Sequence, residues 1–201
     1  LIPSLEDLKL NEIDLLEKYY YQLLKKYIIL NCSNEYFISG KKALEINTKN
    51  FSVPEKIFIV NRNIDKKINI GNYQIIFKTV KGNIDGKKIN LYSRLKKFTI
   101  VSTFENLAFK NSSLELSLVE SALITDSYEG LDVNILNKTI KKYHRVFDKQ
   151  KFYDIGKLKF IMSFNRLKEL SKNINRELYE VFLDIIKING GLFIGEGLRQ
   201  I

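Results

Sequence analysis

Few side chains in this sequence could carry chemistry, and their spacing decides what kind. There is one histidine, His144, and one cysteine, Cys32. Together they nearly exclude a zinc site of the usual Cys/His kind. His144 lies among basic residues in Lys141-Lys142-Tyr143-His144-Arg145 and reads as a solvated surface residue, not a base. No Ser/His/Asp set can be nominated by spacing. No Gly-x-x-x-x-Gly-Lys-Ser/Thr loop is present to cradle a phosphate, and Asp-x-Asp pairs, which would hold two metals for phosphoryl transfer, are missing. Gly190-Gly191 follows an apolar segment, as in many nucleotidyltransferase active sites, but Leu192 stands where Ser or Thr is needed and no aspartate follows. Glu120 could be imagined as a catalytic carboxylate. In Ser117-Leu118-Val119-Glu120 it also fits the third position of a capping box, a structural role. The expectation is a chain without enzymatic activity, with no catalytic residue, no bound metal and no cofactor.

What remains is charge. The net charge is +10, and it is uneven. Residues 41–110 hold 15 Lys/Arg against 5 Asp/Glu, and 135–176 hold 12 against 3, whereas 111–134 hold five acids and no base. Two basic surfaces and an acidic one follow, or else lysines that only solvate the surface. Lys138, Lys141, Lys142 and Arg145 fall off the apolar stripe of a helix, so they are expected to face outward. Arg62, Lys66 and Lys67 form the matching cluster in the sheet region. These seven are the candidate nucleic-acid contacts, because lysine and arginine that neutralise phosphates release condensed counterions. Tyr19-Tyr20-Tyr21 could stack on bases, but three consecutive helical residues point three ways, which favours packing.

The elements that position these residues can be read in order. Residues 4–30 are expected to be helical, opened by Ser4 and Asp7 and striped by Leu5, Leu8, Ile13, Leu16, Tyr20, Leu23 and Tyr27. Tyr36-Phe37-Ile38 reads as a short strand, and Ser39 as the cap of a helix starting at Lys41, with Ala43, Leu44 and Ile46 on its apolar face. Strands are expected at Ile57–Val60, Asn69–Val80 (largely apolar on both faces and therefore central), Lys88–Tyr92 and Lys97–Val101. Turns fall at Gly71-Asn72 and Asn83–Gly86. Ser117 opens a short helix ending near Asp126. Beyond Asp132 the pattern is helical: Val133, Leu136, Ile140, Tyr143 and Phe147; then Phe152, Ile155, Leu158 and Met162, weakened by Gly156; then Asn165 to Lys172; and last a helix capped by Asn175 bearing Leu178, Val181, Phe182, Ile185 and Ile186. The expected fold class is α+β, a mixed sheet with flanking helices followed by a C-terminal helical region. The divisions are 1–35, 36–126 and 127–201. No run of about 18 apolar residues marks a membrane span, no leader pattern is present, and the lone cysteine fits a reducing, cytoplasmic setting.

Two stretches resemble the AbiEi family of antitoxins. Tyr36-Phe37-Ile38-Ser39-Gly40-Lys41-Lys42-Ala43-Leu44-Glu45 is similar to the start of its effector domain, with Pro54 and Ile57–Val60 falling where that pattern has a proline and an apolar strand. Leu116 to Asp126 looks like its second signature through Ser117, Glu120, Ala122 and Asp126. Val119 replaces the family's usual proline, and Ile46-Asn47 replaces a His-Gly. The resemblance spans roughly Glu35 to Ile188. It implies an antitoxin of a type IV toxin–antitoxin or abortive-infection pair that binds operator DNA and regulates transcription. It also implies a nucleotidyltransferase-type toxin as partner, and a winged helix-turn-helix upstream of Leu1 or reduced within residues 1–35. A homodimer is compatible with this. A non-catalytic RNA-binding or structural interaction module stays open beside it.

Overall fold

The computed structural model describes residues 4, 7–49, 52–84, 86–104, 106–123 and 130–190. Leu5, the side chain of Leu8, Asp85, the segment Ile124–Asp126 and the glycine-rich tail beyond Gly190 lie outside the described residues.

The fold is α+β with a mixed sheet. Helix α1 spans Glu12–Cys32 and begins at Asn11, whose side chain accepts the Ile13 and Asp14 amides at 3.0 Å. The expected start at Ser4 is therefore corrected. Ser4 and Asp7 belong to a preceding turn, where the buried Asp7 carboxylate accepts Lys18 Nζ and the Tyr19 hydroxyl, each at 2.6 Å. The buried stripe is Tyr20, Tyr21, Leu24, Ile28 and Cys32, rotated from the expected one, and Ile13 is exposed. Tyr20 and Tyr21 pack edge to face at 5.2 Å, so the tyrosine triplet is core, not platform.

Strand β1 (Tyr36–Ser39) leads directly into α2 (Gly40–Asn47), and then come β2 (Lys56–Asn61), β3 (Lys66–Ile70) and β4 (Tyr73–Lys78). β5 (Lys81–Ile84) and β6 (Lys87–Asn90) form a separate two-stranded ribbon. A short helix α3 (Tyr92–Leu95) precedes β7 (Thr99–Phe104) and β8 (Leu107–Ser112). The six-stranded order is β3-β4-β2-β1-β8-β7, with β2/β4 and β1/β8 parallel and the other pairs antiparallel. The single strand expected over 69–80 is split at Gly71, whose φ of +56° suits a glycine turn. Its second half, β4, is next to the edge strand β3, and the centre belongs to β1 and β2. The strand expected to reach Tyr92 stops at Asn90, whose side-chain oxygen takes the Tyr92 amide at 2.8 Å.

Side chains alternate across the sheet. Ile38, Ile57, Ile59, Ile75, Phe77 and Phe109 face α1, forming one core with Tyr20, Tyr21, Leu24 and Ile28. Phe37 and Val60 face the other way into a second core, built with the C-terminal helices. The two cores thus share β1 and β2 as a common wall. α4 (Leu114–Ser121) is capped by Ser113, not Ser117, and ends before Ala122. Then follow α5 (Val133–Tyr143), α6 (Lys149–Gly156), α7 (Ile161–Ser171) and α8 (Arg176–Ile188). Asn175 accepts the Leu178 amide at 2.9 Å as expected, and all five apolar residues expected on α8 are buried. The single helix expected through Phe152, Ile155, Leu158 and Met162 is divided: α6 ends at Gly156, and Met162 stands exposed on α7. Among the described residues no helix is long and apolar enough to cross a membrane.

Candidate nucleic-acid interface

The two stretches that carry the family resemblance meet in space. The Gly40 amide and the Ser112 hydroxyl both donate to Glu120 Oε2, at 2.8 and 2.7 Å. Asn47 Nδ2 donates to the Ser112 carbonyl at 2.9 Å and to Ser117 Oγ at 3.1 Å. Gly40 holds φ +59°, a left-handed conformation in which its own amide points at the carboxylate. Ser39 makes no side-chain cap hydrogen bond, which corrects its expected role. Glu120 is fully buried and lies in the last turn of α4, not at a capping-box position. It fastens α2 to α4 and has no opening to a substrate. Lys42, which follows Gly40 and Lys41 on α2, is buried, with Nζ 3.3 Å from Glu45 Oε2 and 5.9 Å from the Tyr21 ring centroid. Burial holds its ammonium below the usual lysine range.

The first basic set sits on α5. Asp132 caps that helix by accepting the Asn134 amide at 2.7 Å. Leu136, Thr139 and Ile140 commit one face to the core, so Lys138, Lys141 and Lys142 must point out, and all three are exposed. Arg145 is exposed too, but it stands in the turn after the helix, not on it. His144 Nδ1 donates to the Lys141 carbonyl at 2.9 Å, which fixes its ring at the helix end. Lys142 Nζ lies 5.2 Å from the Tyr143 ring centroid.

The surrounding bases are mixed: Lys159 and Lys187 are likewise exposed and in no ion pair among the described residues, whereas others are engaged within the fold. Lys149, Lys151, Lys157, Lys168 and Arg176 each pair with a carboxylate. Arg166 donates to the carbonyls of Ala122 and Leu131 at 3.3 and 2.8 Å. Lys138, Lys141, Lys142 and Arg145 take part in no ion pair among the described residues. Their charge is offered to solvent uncompensated.

The second set divides. Arg62 is engaged: its Nε lies 3.2 Å from Glu35 Oε2, and its carbonyl accepts Asn90 Nδ2 at 2.5 Å. It ties the loop before β1 to the end of β6. Lys66 and Lys67 are exposed on the edge strand β3 and unpaired among the described residues. Sequence reasoning missed Lys56 and Lys78, which β2 and β4 bring close to Lys67. The signal was the parity of Gln74, Ile76 and Lys78, but it takes on meaning only once β2 is known to pair with β4 from Lys56↔Gln74 to Val60↔Lys78. Among the described residues no group of His, Cys, Asp and Glu could hold a metal.

No family model and no solved structure matches the chain. Among curated proteins, a stretch of 84 residues is 34% identical to a protein of Picrophilus torridus named 8-oxoguanine DNA glycosylase/AP lyase. That stretch covers 39% of this chain and 40% of that protein, so the match spans well under half of either.

Proposed function

We propose that this chain is a non-catalytic, DNA-binding regulator of the antitoxin type, which binds operator DNA and opposes a toxin of the nucleotidyltransferase class. The observation that carries DNA binding is the cluster Lys138, Lys141, Lys142 and Arg145, four exposed cations that lie together on the outer side of α5 and the turn after it and take part in no ion pair among the described residues. Four outward cations suit a phosphate backbone, adding affinity without sequence choice. The partial relative is by name a protein that acts on DNA. The antitoxin part rests on the Tyr36–Glu45 and Leu116–Asp126 resemblance, whose described residues join through Glu120. The absence of catalysis is supported by the same contact, since the best-placed carboxylate is occupied in holding the fold. A second copy completes this reading: β7 is a sheet edge with no charged residue, exposing Ile100 and Val101.

Reversing Lys141 and Lys142 to Glu is expected to weaken binding to all duplex sequences alike and to lower the salt slope by about one unit per lost contact. Titration of labelled duplexes at several salt concentrations measures both. Intact DNA binding with loss of toxin neutralisation would assign the face to the toxin instead. Neither effect would return the four residues to a solvated surface. Excision or strand cleavage of an 8-oxoguanine duplex by the pure protein would overturn the non-catalytic part.

A further inference from the structure

Only part of the sheet face opposite α1 is covered. Phe37, whose ring stacks on Tyr92 at 6.0 Å, and Val60 are buried in the second core, but the neighbouring positions of β2, β4 and β3 on that face are not. Pairing puts Phe58, Ile76 and Lys67 in one row across the three strands. Lys56 and Gln74 form the row on one side, and Lys78 stands on the other beside buried Val60. Phe58, Ile76, Gln74 and Lys78 are half-buried, whereas Lys56 and Lys67 are exposed. These residues line an open depression of about 520 Å³. Its single acidic lining residue is Asp65, whose carboxylate already accepts the Thr79 amide at 2.7 Å and the Thr79 hydroxyl at 2.5 Å. The depression therefore has an apolar, partly aromatic floor and cations on three sides.

We infer that this half of the sheet is a binding site for single-stranded nucleic acid, separate from the duplex-binding face of α5 and independent of it. The charge selects a polyanion. The floor selects among polyanions: a base stacks on an exposed aromatic face of a flat sheet, whereas an acidic peptide gains nothing from Phe58 beyond contact area. A duplex keeps its bases stacked inside and offers such a depression only phosphates. One base over Phe58 and Ile76 puts flanking phosphates within the reach of Lys67 and Lys78 and the base edge toward the Gln74 amide.

Fluorescence anisotropy with labelled 15-nucleotide dT and U strands tests this on the whole chain. Binding is expected to fall about five- to a hundredfold in Phe58→Ala, to recover in Phe58→Tyr, which keeps a ring to stack on, and to fall in the double variant Lys67→Glu, Lys78→Glu. Reversal of Lys141 and Lys142 should weaken duplex binding while the loss caused by Phe58→Ala on single strands persists in that background, so failure here and failure of the α5 reading stay distinguishable. Unfolding midpoints of the variants guard against simple loss of fold. The inference is overturned if no strand binds at low salt, if Phe58→Ala binds like the parent, or if a poly-glutamate peptide displaces the strands with equal effect on both Phe58 variants.

Discussion

At the scale of the residue, Glu120 separates two ideas that sequence alone leaves together. A carboxylate in an apolar helix is either held for catalysis or committed to structure, and here two buried donors, the Gly40 amide and the Ser112 hydroxyl, share one of its oxygens. Removing the side chain strands both donors, and each unsatisfied buried donor costs about 1–3 kcal/mol. Glu120→Ala is expected to lower stability by about 3 kcal/mol in denaturant unfolding, and Glu120→Gln, which keeps an acceptor oxygen, by less. If Glu120→Ala matched the parent in stability, the joint between α2 and α4 would not depend on this contact.

At the scale of the element, Gly156 reverses an ordinary expectation. A glycine inside a helix costs about 1 kcal/mol relative to alanine, so the sequence reads it as a weak point of α6. In the fold, a Cβ at this position would lie 2.5 Å from Ile185 Cγ2 on α8. Ile185 is fully buried and β-branched, with little freedom to move aside. Overpacking of this kind costs about 1–3 kcal/mol, which outweighs the gain in helix propensity. Gly156→Ala is expected to destabilise the protein, by a lowered unfolding midpoint with an unchanged denaturant slope. Elements whose signals are local were legible in this way: α8 has its cap at Asn175 and its stripe within itself, and both are found where the sequence places them. Start points were less legible where several caps competed, as Ser113 displaced Ser117 and Asn11 displaced Ser4. β8 escaped notice altogether. Its residues Leu107-Ala108-Phe109-Lys110-Asn111-Ser112 are half polar, and they become a strand through pairing with β7 and, at Asn111, with distant Ile38. The basic α5 face could be read from the helical period, whereas the Phe58–Ile76–Lys67 row is a product of pairing and cannot be seen along the chain.

At the scale of the whole molecule, the two edges of the sheet are treated differently. β3 carries Lys66 and Lys67, the usual guard against unwanted pairing, while β7 reads Thr-Ile-Val-Ser-Thr-Phe with neither charge nor proline. Val101 is 65% exposed there. Val101→Lys is expected to abolish any concentration-dependent dimer in sedimentation equilibrium without lowering the unfolding midpoint, and a parent that is monomeric at all concentrations would remove the edge from consideration as an interface. The middle of the same sheet has a consequence in time. β1 has β2 on one side and β8 on the other, and β8 begins only at Leu107. As the chain leaves the ribosome, β2, β4 and β3 are released first and can line up beside β1 while its second side stays bare. Phe109, part of the floor on which α1 rests, is still inside the ribosome during that interval. Tyr36-Phe37-Ile38-Ser39 therefore keeps one backbone edge open to water from the moment β2 pairs with it until β8 has been made.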